Sequence, residues 1–307
     1  MLHNDQELFE QMILRVSEDT GIEASIIEKD YYVTLFLQRI VELQPNVIFK
    51  GGTSLSKCYK LINRFSEDID LNIDTEVHPT EGERKKLKEK IVSIIEEFGF
   101  TLRNPDQVRS RRDYNRYVVD YPTIFSNGYL KEHLIIETAV YIKAYPCKRM
   151  FASSLIYDYL ERNGYNELIE QYDLQPFELN VQTAERTLVD KVFALGDYYL
   201  SGAVREHSRH VYDIYKLLDV VDLDESMRQL VQNVFEERKP HVNCHSAKDG
   251  IDMNAVLREI VDMSIYAQDY RDITEKILFE EVDYETAVSA LRRIIESGIF
   301  SRPIDHP

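Results

Sequence analysis

An α+β fold is what this sequence predicts, with a mixed β-sheet in its first half and a mainly helical second half, and three observations predict it. Alternating or β-branched segments occur at residues 47–49, 68–73, 114–121 and 134–145. Amphipathic helical periodicity brackets them at 5–17, 25–43 and 80–98. Beyond about residue 150 nearly every long apolar pattern repeats at three-to-four spacing. This change of pattern divides a first domain, 1–150, from a second, 151–307; no internal repeat, low-complexity tract or long linker marks the boundary otherwise.

The first two helices have Asp5 and Ser25 near their starts as caps, and Pro45 ends the second. A short strand follows at 47–49, then the pair Gly51-Gly52, a helical stretch at 55–62 and a strand at 68–73. The charged, periodic stretch 80–98 reads as a surface helix that Gly99 stops. Segments 114–121 and 134–145 complete a mixed sheet of four or five strands. In the second half one strand-like interruption, 177–181, precedes helical stretches at 183–200, 208–220, 224–238, 253–268 and 274–297.

Composition bounds the function. With 44% hydrophobic residues in 307, the chain can bury a normal core and reads as soluble and globular. Its 37 Lys plus Arg against 54 Asp plus Glu leave a formal charge of −17, which repels polyanions at long range, so any nucleic acid must meet a local basic patch. Cys58, Cys147 and Cys244 are far apart and do not form a disulfide framework, which fits a reducing cytoplasm. The acidic, helical start and the lack of any long apolar run speak against secretion and membrane spanning.

The informative stretch is FKGGTSLSKCYKLINRFSEDIDLNI, residues 49–73. Asp68 and Asp70 flank Ile69 in a strand, and a period of two puts both carboxylates on one face while Ile69 enters the core. Such carboxylates repel one another unless a cation sits between them. Magnesium, or manganese, suits them, since magnesium takes oxygen ligands and is usually held by one or two carboxylates plus substrate phosphates. Gly51, Gly52, Thr53 and Ser54 form a strand-to-helix turn where a phosphate can approach the backbone and the hydroxyls can bind it. Either feature alone is common as an ordinary turn or a solvated strand edge. One strand-turn-helix-strand unit carrying both is far more specific. Lys57 and Arg64 flank this unit, as phosphate contacts or as surface residues.

The string GGTSLSK…RFSEDIDL resembles the nucleotidyltransferase signature, and more closely the AbiEii/AbiGii toxin family of bacterial abortive-infection and type IV toxin-antitoxin systems. The resemblance continues through ERTLVDKVFAL (185–195) and SRHVYDIYKL (208–217). It implies a polymerase-β-like core and a metal-dependent transfer of a nucleotide from a nucleoside triphosphate to an acceptor hydroxyl. RNA, in particular a tRNA 3′ end, is the acceptor it implies, and a cognate antitoxin the partner. By the same resemblance Gly52 and Thr53 match the phosphate turn, Asp68 and Asp70 the metal pair, Lys191 a lysine used toward the nucleotide, and Asp213 an acidic residue of the last motif. Glu137 is the candidate for a third carboxylate, as metal ligand or general base, or else an ordinary exposed glutamate. Three departures stand out: Thr53 stands where many nucleotidyltransferases have Ser, which keeps a hydroxyl, 14 residues separate Thr53 from Asp68, more than usual, and His210 stands where relatives often carry an acid. The helical second domain would complete the active-site cleft. The alternatives are modification of a small molecule or protein hydroxyl, and a nucleotide-binding regulatory module without turnover.

Other features admit two readings. Arg103, Arg109, Arg111, Arg112 and Arg116 form the clearest basic run, able to guide an RNA end or a triphosphate, or else to compensate charge in a solvated loop. His241, Cys244 and His245 have zinc-ligand chemistry at short spacing, but no second pair accompanies them, which favours a capped helix end. The 20 tyrosines could stack on bases, but most should pack in the interior.

Overall fold

A computed structural model describes residues 1–66, 68–75, 78–126 and 132–301, so Glu67 of the motif lies outside the described residues. The chain forms two compact units, one of residues 1–60 and 66–182, the other of 61–65 and 183–307.

The first unit is built on a seven-stranded mixed sheet. Helices α1 (Gln6–Thr20) and α2 (Ala24–Leu43) come first along the chain, and Asp5 caps α1 by accepting the amide of Leu8. β1 (Val47–Lys50) then runs into α3 (Gly51–Lys57), and β2 (Asp68–Ile73) returns antiparallel to β1. α4 (Glu81–Glu97) begins with a reciprocal capping box between Thr80 and Glu83. β3 (Thr101–Leu102), β4 (Tyr114–Asp120), β5 (Leu134–Ala139), β6 (Cys147–Ala152) and β7 (Phe177–Gln182) complete the sheet, with α5 (Leu155–Arg162) and α6 (Asn166–Tyr172) between the last two. The strand order is β3-β4-β5-β2-β1-β7-β6, with β2 parallel to β5 and β1 parallel to β7.

Val47, Phe49, Ile69, Leu71, Ile73, Tyr117 and Ile136 share one face of this sheet and enter a continuous core with Phe36, Leu37 and Ile40 of α2 and Ile91 and Ile94 of α4. Burying that face orients the sheet, because the period of two then sends Asp68 and Asp70 to the opposite side.

Several expectations differ from this architecture. The third helix starts at Gly51 itself and ends at Lys57 rather than spanning 55–62. β5 stops at Ala139, because the following segment leaves the ladder; the carbonyl of Ile142 there accepts from the Asn72 side chain. The sheet has seven strands because Cys147–Ala152 pairs with Phe177–Gln182 and the latter with β1. For the same reason the first unit runs to Gln182, past the division at 150 read from patterning.

The second unit is helical: α7 (Ala184–Leu200), α8 (Arg209–Leu217), α9 (Glu225–Arg238), α10 (Met253–Asp262) and α11 (Tyr284–Ser297), joined by shorter turns. Its interior holds Leu188, Val192, Phe193, Val211, Ile214, Leu257, Leu291 and Ile294. The predicted helix 274–297 is broken because residues 277–279 pair with 63–65 instead. Phe65 donates to the carbonyl of Ile277, Phe279 to that of Asn63, and Asp283 restarts the helix as its cap. Among the described residues no helix is long and apolar enough to cross a membrane.

Candidate active site

β1 and β2 pair from Val47 opposite Ile73 to Lys50 opposite Asp70, so the chain leaves the sheet into the glycine pair directly beside the acidic end of β2. Asp68 and Asp70 are both half-buried, with Ile69 between them fully buried, as the alternation requires. Gly51 has φ +77°, a left-handed conformation, and a Cβ placed on it would lie 2.0 Å from Asp70 Oδ2. No side chain fits between the turn and this carboxylate.

Asp70 is also level with Glu137 on β5, and Glu137 with Arg116 on β4. Lys50, Asp70, Glu137 and Arg116 therefore form one transverse row across four strands, with a cation at each end. Glu137 accepts from the Tyr114 hydroxyl at 2.9 Å and lies 3.6 Å from Arg116 Nε. Partial burial and the charge of Glu137 push the Tyr114 hydroxyl well above its ordinary pKa, with Asp70 adding to the effect.

Not every residue of the motif faces this row. Thr53 and Ser54 are buried, and their hydroxyls are used inside the protein: Thr53 Oγ1 meets Ser66 Oγ at 2.9 Å, and Ser54 Oγ donates to the Gly51 carbonyl at 2.8 Å. They lock the turn from inside the protein, while the Gly51 and Gly52 backbone stays half-exposed. The expected phosphate contact of Lys57 is also corrected. Its ammonium is buried and donates to Asp30 Oδ1 at 2.5 Å, Thr34 Oγ1 at 2.6 Å and the Asp30 carbonyl at 3.2 Å, pinning α3 to α2.

The basic run is largely compensated locally. Arg103 pairs with Asp120 at 2.6 Å, Arg111 with Glu81 at 3.3 Å and Arg116 with Glu137, while Arg109 and Arg112 donate to the carbonyls of Val108 and Gln107. Cys244 is buried at the start of a single 3-10 turn, Leu2–Asn4-like in length, spanning His245–Ala247. Among the described residues no three His, Cys, Asp or Glu side chains converge into a ready-made metal cage, at HVNCH or anywhere else. Asp68, Asp70 and Glu137 thus do not close around one point. The pair Asp68 and Asp70 still fits a hard divalent ion, which needs only one or two carboxylates when waters and phosphates supply the rest.

The helical unit brings together Lys191, Asp213 and Arg64. Asp213 is fully buried, and both of its oxygens accept from Arg64, Oδ1 from Nε and Oδ2 from Nη2, each at 2.7 Å. Lys191 Nζ shares Oδ2 at 2.6 Å. Burial alone would raise the Asp213 pKa, but Arg64 and then Lys191 hold it well below the usual carboxylate range. Lys191 is lowered, first by burial and against the pull of Asp213, with Arg64 and Arg209 adding to the lowering. Burial, Lys191 and Arg209 likewise keep His210 neutral far below its ordinary value.

Lys50, Tyr114 and the pairing of Arg64 with Asp213 were not legible in the sequence. Lys50 joins the row, and Tyr114 comes within reach of Glu137, only through strand register, and nothing in a lone lysine before two glycines signals that register.

The family description "Nucleotidyl transferase AbiEii toxin, Type IV TA system" matches residues 35–293. No curated protein matches the chain.

Proposed function

We propose that this chain, which belongs to the family of AbiEii nucleotidyl transferase toxins of type IV toxin-antitoxin systems, transfers a nucleotidyl group from a nucleoside triphosphate to an acceptor hydroxyl on the Asp68–Asp70 face of its sheet. The observation that carries this reading is the apposition of the Gly51 backbone and Asp70, so close that a Cβ on Gly51 would meet the carboxylate at 2.0 Å. The unit β1-turn-α3-β2 is read as the polymerase-β-like core.

In the reaction the acceptor oxygen attacks the α-phosphorus, the bond to the bridging β-phosphate oxygen breaks, and pyrophosphate leaves while the acceptor proton passes to a nearby base. Such chemistry needs positioning and charge neutralisation more than covalent help. Asp68 and Asp70 would hold magnesium or manganese, which when bound neutralises triphosphate charge and polarises the reacting oxygens. The Gly51-Gly52 backbone admits the phosphates to close range, and Lys50, level with Asp70, offers them a positive charge. Glu137, oriented by Tyr114 and Arg116, is the carboxylate nearest in register to Asp70 and the candidate proton acceptor. Lys191, carried over from the family motifs, is assigned to the nucleotide, and Asp213, the acidic residue of the last motif, to holding Lys191.

RNA, specifically a tRNA 3′ end, is the acceptor we propose, with a cognate antitoxin opposing the activity. Both substrates are cytoplasmic compounds, so the proposed site of action is the cytoplasm. Incubation with each labelled nucleoside triphosphate, magnesium and total tRNA tests this. Label should enter RNA and be lost with Asp70→Asn; transfer that survives this substitution would refute the assigned site. Label that reaches only protein or small molecules would redirect the acceptor, and nucleotide binding without any transfer would mean a regulatory module.

A further inference from the structure

We propose that Arg64 is a positioning residue for the Lys191–Asp213 pair, acting in the transfer reaction through Asp213 and not by touching phosphate. This rests on the assignment of Lys191 and Asp213 to the reaction.

The geometry begins with the backbone. Residues 61–65 belong to the helical unit although they lie in sequence between two elements of the sheet unit. They are tied there at three points: the Asn63 amide donates to the Tyr212 hydroxyl at 2.9 Å, Phe65 donates to the Ile277 carbonyl at 3.0 Å, and Phe279 donates to the Asn63 carbonyl at 2.9 Å. Arg64 sits in the middle of this clamp, forms a β-bridge with Leu278, and donates from Nη1 to the Phe65 carbonyl at 2.7 Å. The guanidinium therefore arrives at Asp213 with its own position set by main chain on both sides.

What it does there follows from the difference between its two cationic partners. Arginine presents a rigid planar fork that fixes a carboxylate in plane and direction, whereas a lysine ammonium is a point charge that accepts any approach. With Nε on Oδ1 and Nη2 on Oδ2, Arg64 fixes both Asp213 oxygens, and Lys191 is left a single defined oxygen, Oδ2 at 2.6 Å. Without the fork the carboxylate can turn to present both oxygens to Lys191 and draw the ammonium toward itself. Arg64 thus sets where Lys191 is held and how tightly. The surroundings that also bear on Lys191 are Arg209 and the neutral His210 of α8, while Glu280 engages Tyr212 and, at 3.2 Å, Lys216.

The test uses the full chain carrying Arg64→Met and Arg64→Lys, with folding checked by circular dichroism. Transfer kinetics should show kcat lowered about 100-fold in Arg64→Met, the scale expected when a reacting group is misplaced by about 1 Å, while KM for the triphosphate stays within about threefold. Arg64→Lys restores the charge but not the fork, so its kcat should remain well below that of the parent. In parallel, lysines labelled with ¹³C at Cε report the Lys191 titration by NMR in the free protein, assigned with Lys191→Arg. Its midpoint should move upward in Arg64→Met, where a neighbouring cation is gone, and less in Arg64→Lys.

An unmoved Lys191 midpoint overturns the proposal, as does an unchanged kcat in both variants or a rise in KM alone, which would mean direct contact with phosphate. Should Arg64→Met fail to fold, Arg64→Lys decides by the same criteria. A parent protein that transfers nothing would defeat the reaction assignment, while the NMR titration still decides whether Arg64 positions Lys191.

Discussion

Gly51 is the residue on which the site turns. A methyl group there meets Asp70 Oδ2 at 2.0 Å in a backbone already at φ +77°. Gly51→Ala should cost about 1–3 kcal/mol of stability, as left-handed non-glycine residues do, and should lower transfer by about 100-fold or more through displacement of Asp70. Thermal melting and a transfer assay measure the two effects, and a fully active Gly51→Ala would show that Asp70 does not work from this position. Asp213 makes a second case. Its folded-state pKa lies below its ordinary 3.8, so the stability it contributes is present at neutral pH and is lost as pH falls below that value. Asp213→Asn leaves two buried cations facing a neutral amide and should cost about 3–5 kcal/mol in denaturant unfolding at neutral pH. An unaffected unfolding midpoint would show that the buried cluster is dispensable. Asp68 and Asp70 could be read from the sequence because alternation alone puts them on one face. The directions of Thr53, Ser54 and Lys57 could not, because nearness to the turn in sequence does not say which way a side chain leaves it.

At the level of elements, local signals were faithful where one rule decided the structure. The strand 68–73 appears as read, and the helix expected at 80–98 runs from Glu81 to Glu97 with its Thr80–Glu83 capping box. Thr80→Ala removes that cap and should lower stability by about 1 kcal/mol, measurable as a shift in urea midpoint. α2 carries a second device. Glu28 is buried and accepts from the Ile124 and Phe125 amides and the Thr123 hydroxyl, which holds the loop 123–125 against the helix. Burial raises its pKa above the ordinary 4.5 despite those hydrogen bonds. The folded protein therefore holds this proton more tightly than the unfolded chain does. Its contribution to stability is greatest below pH 4.5 and declines as pH rises through the raised value. Glu28→Gln should flatten that part of the stability profile; an identical slope in both proteins would assign it to another group. The strand at 147–152 went unseen because it lies at the sheet edge with Lys148, Arg149 and Phe151 all exposed, so no alternation marks it, and its pairing partner lies beyond two intervening helices.

For the molecule as a whole, the charge of −17 makes association with a polyanion depend on few groups. Arg103, Arg111 and Arg116 are already paired with carboxylates, so Arg109 and Arg112 of the basic run, with Lys50 beside the acidic row, are the groups we propose for an RNA acceptor. Binding of single-stranded RNA should accordingly weaken with salt at a logarithmic slope of about −2, near −0.7 for each phosphate neutralised. Fluorescence anisotropy over a salt series measures it, and a slope several times steeper would reveal a larger basic surface than this one. The basic run was read from the sequence with two meanings, and pairing with Glu81, Asp120 and Glu137 is what favours charge compensation.

What the sequence determined by itself is the set of features governed by short-range periodicity: an α+β composition, a carboxylate pair sharing a strand face with glycines before it, and family motifs that carry the assignment. What only the tertiary structure decided is everything that depends on which distant segments meet. Strand register places Lys50, Glu137 and Arg116 level with Asp70, and the sheet extends through β6 and β7 to Gln182. Arg64 reaches a carboxylate 149 residues away. The physical reason is that periodicity is set by backbone geometry within a few residues, whereas register and ion pairing are chosen by burial of the whole core, which no local stretch of chain encodes.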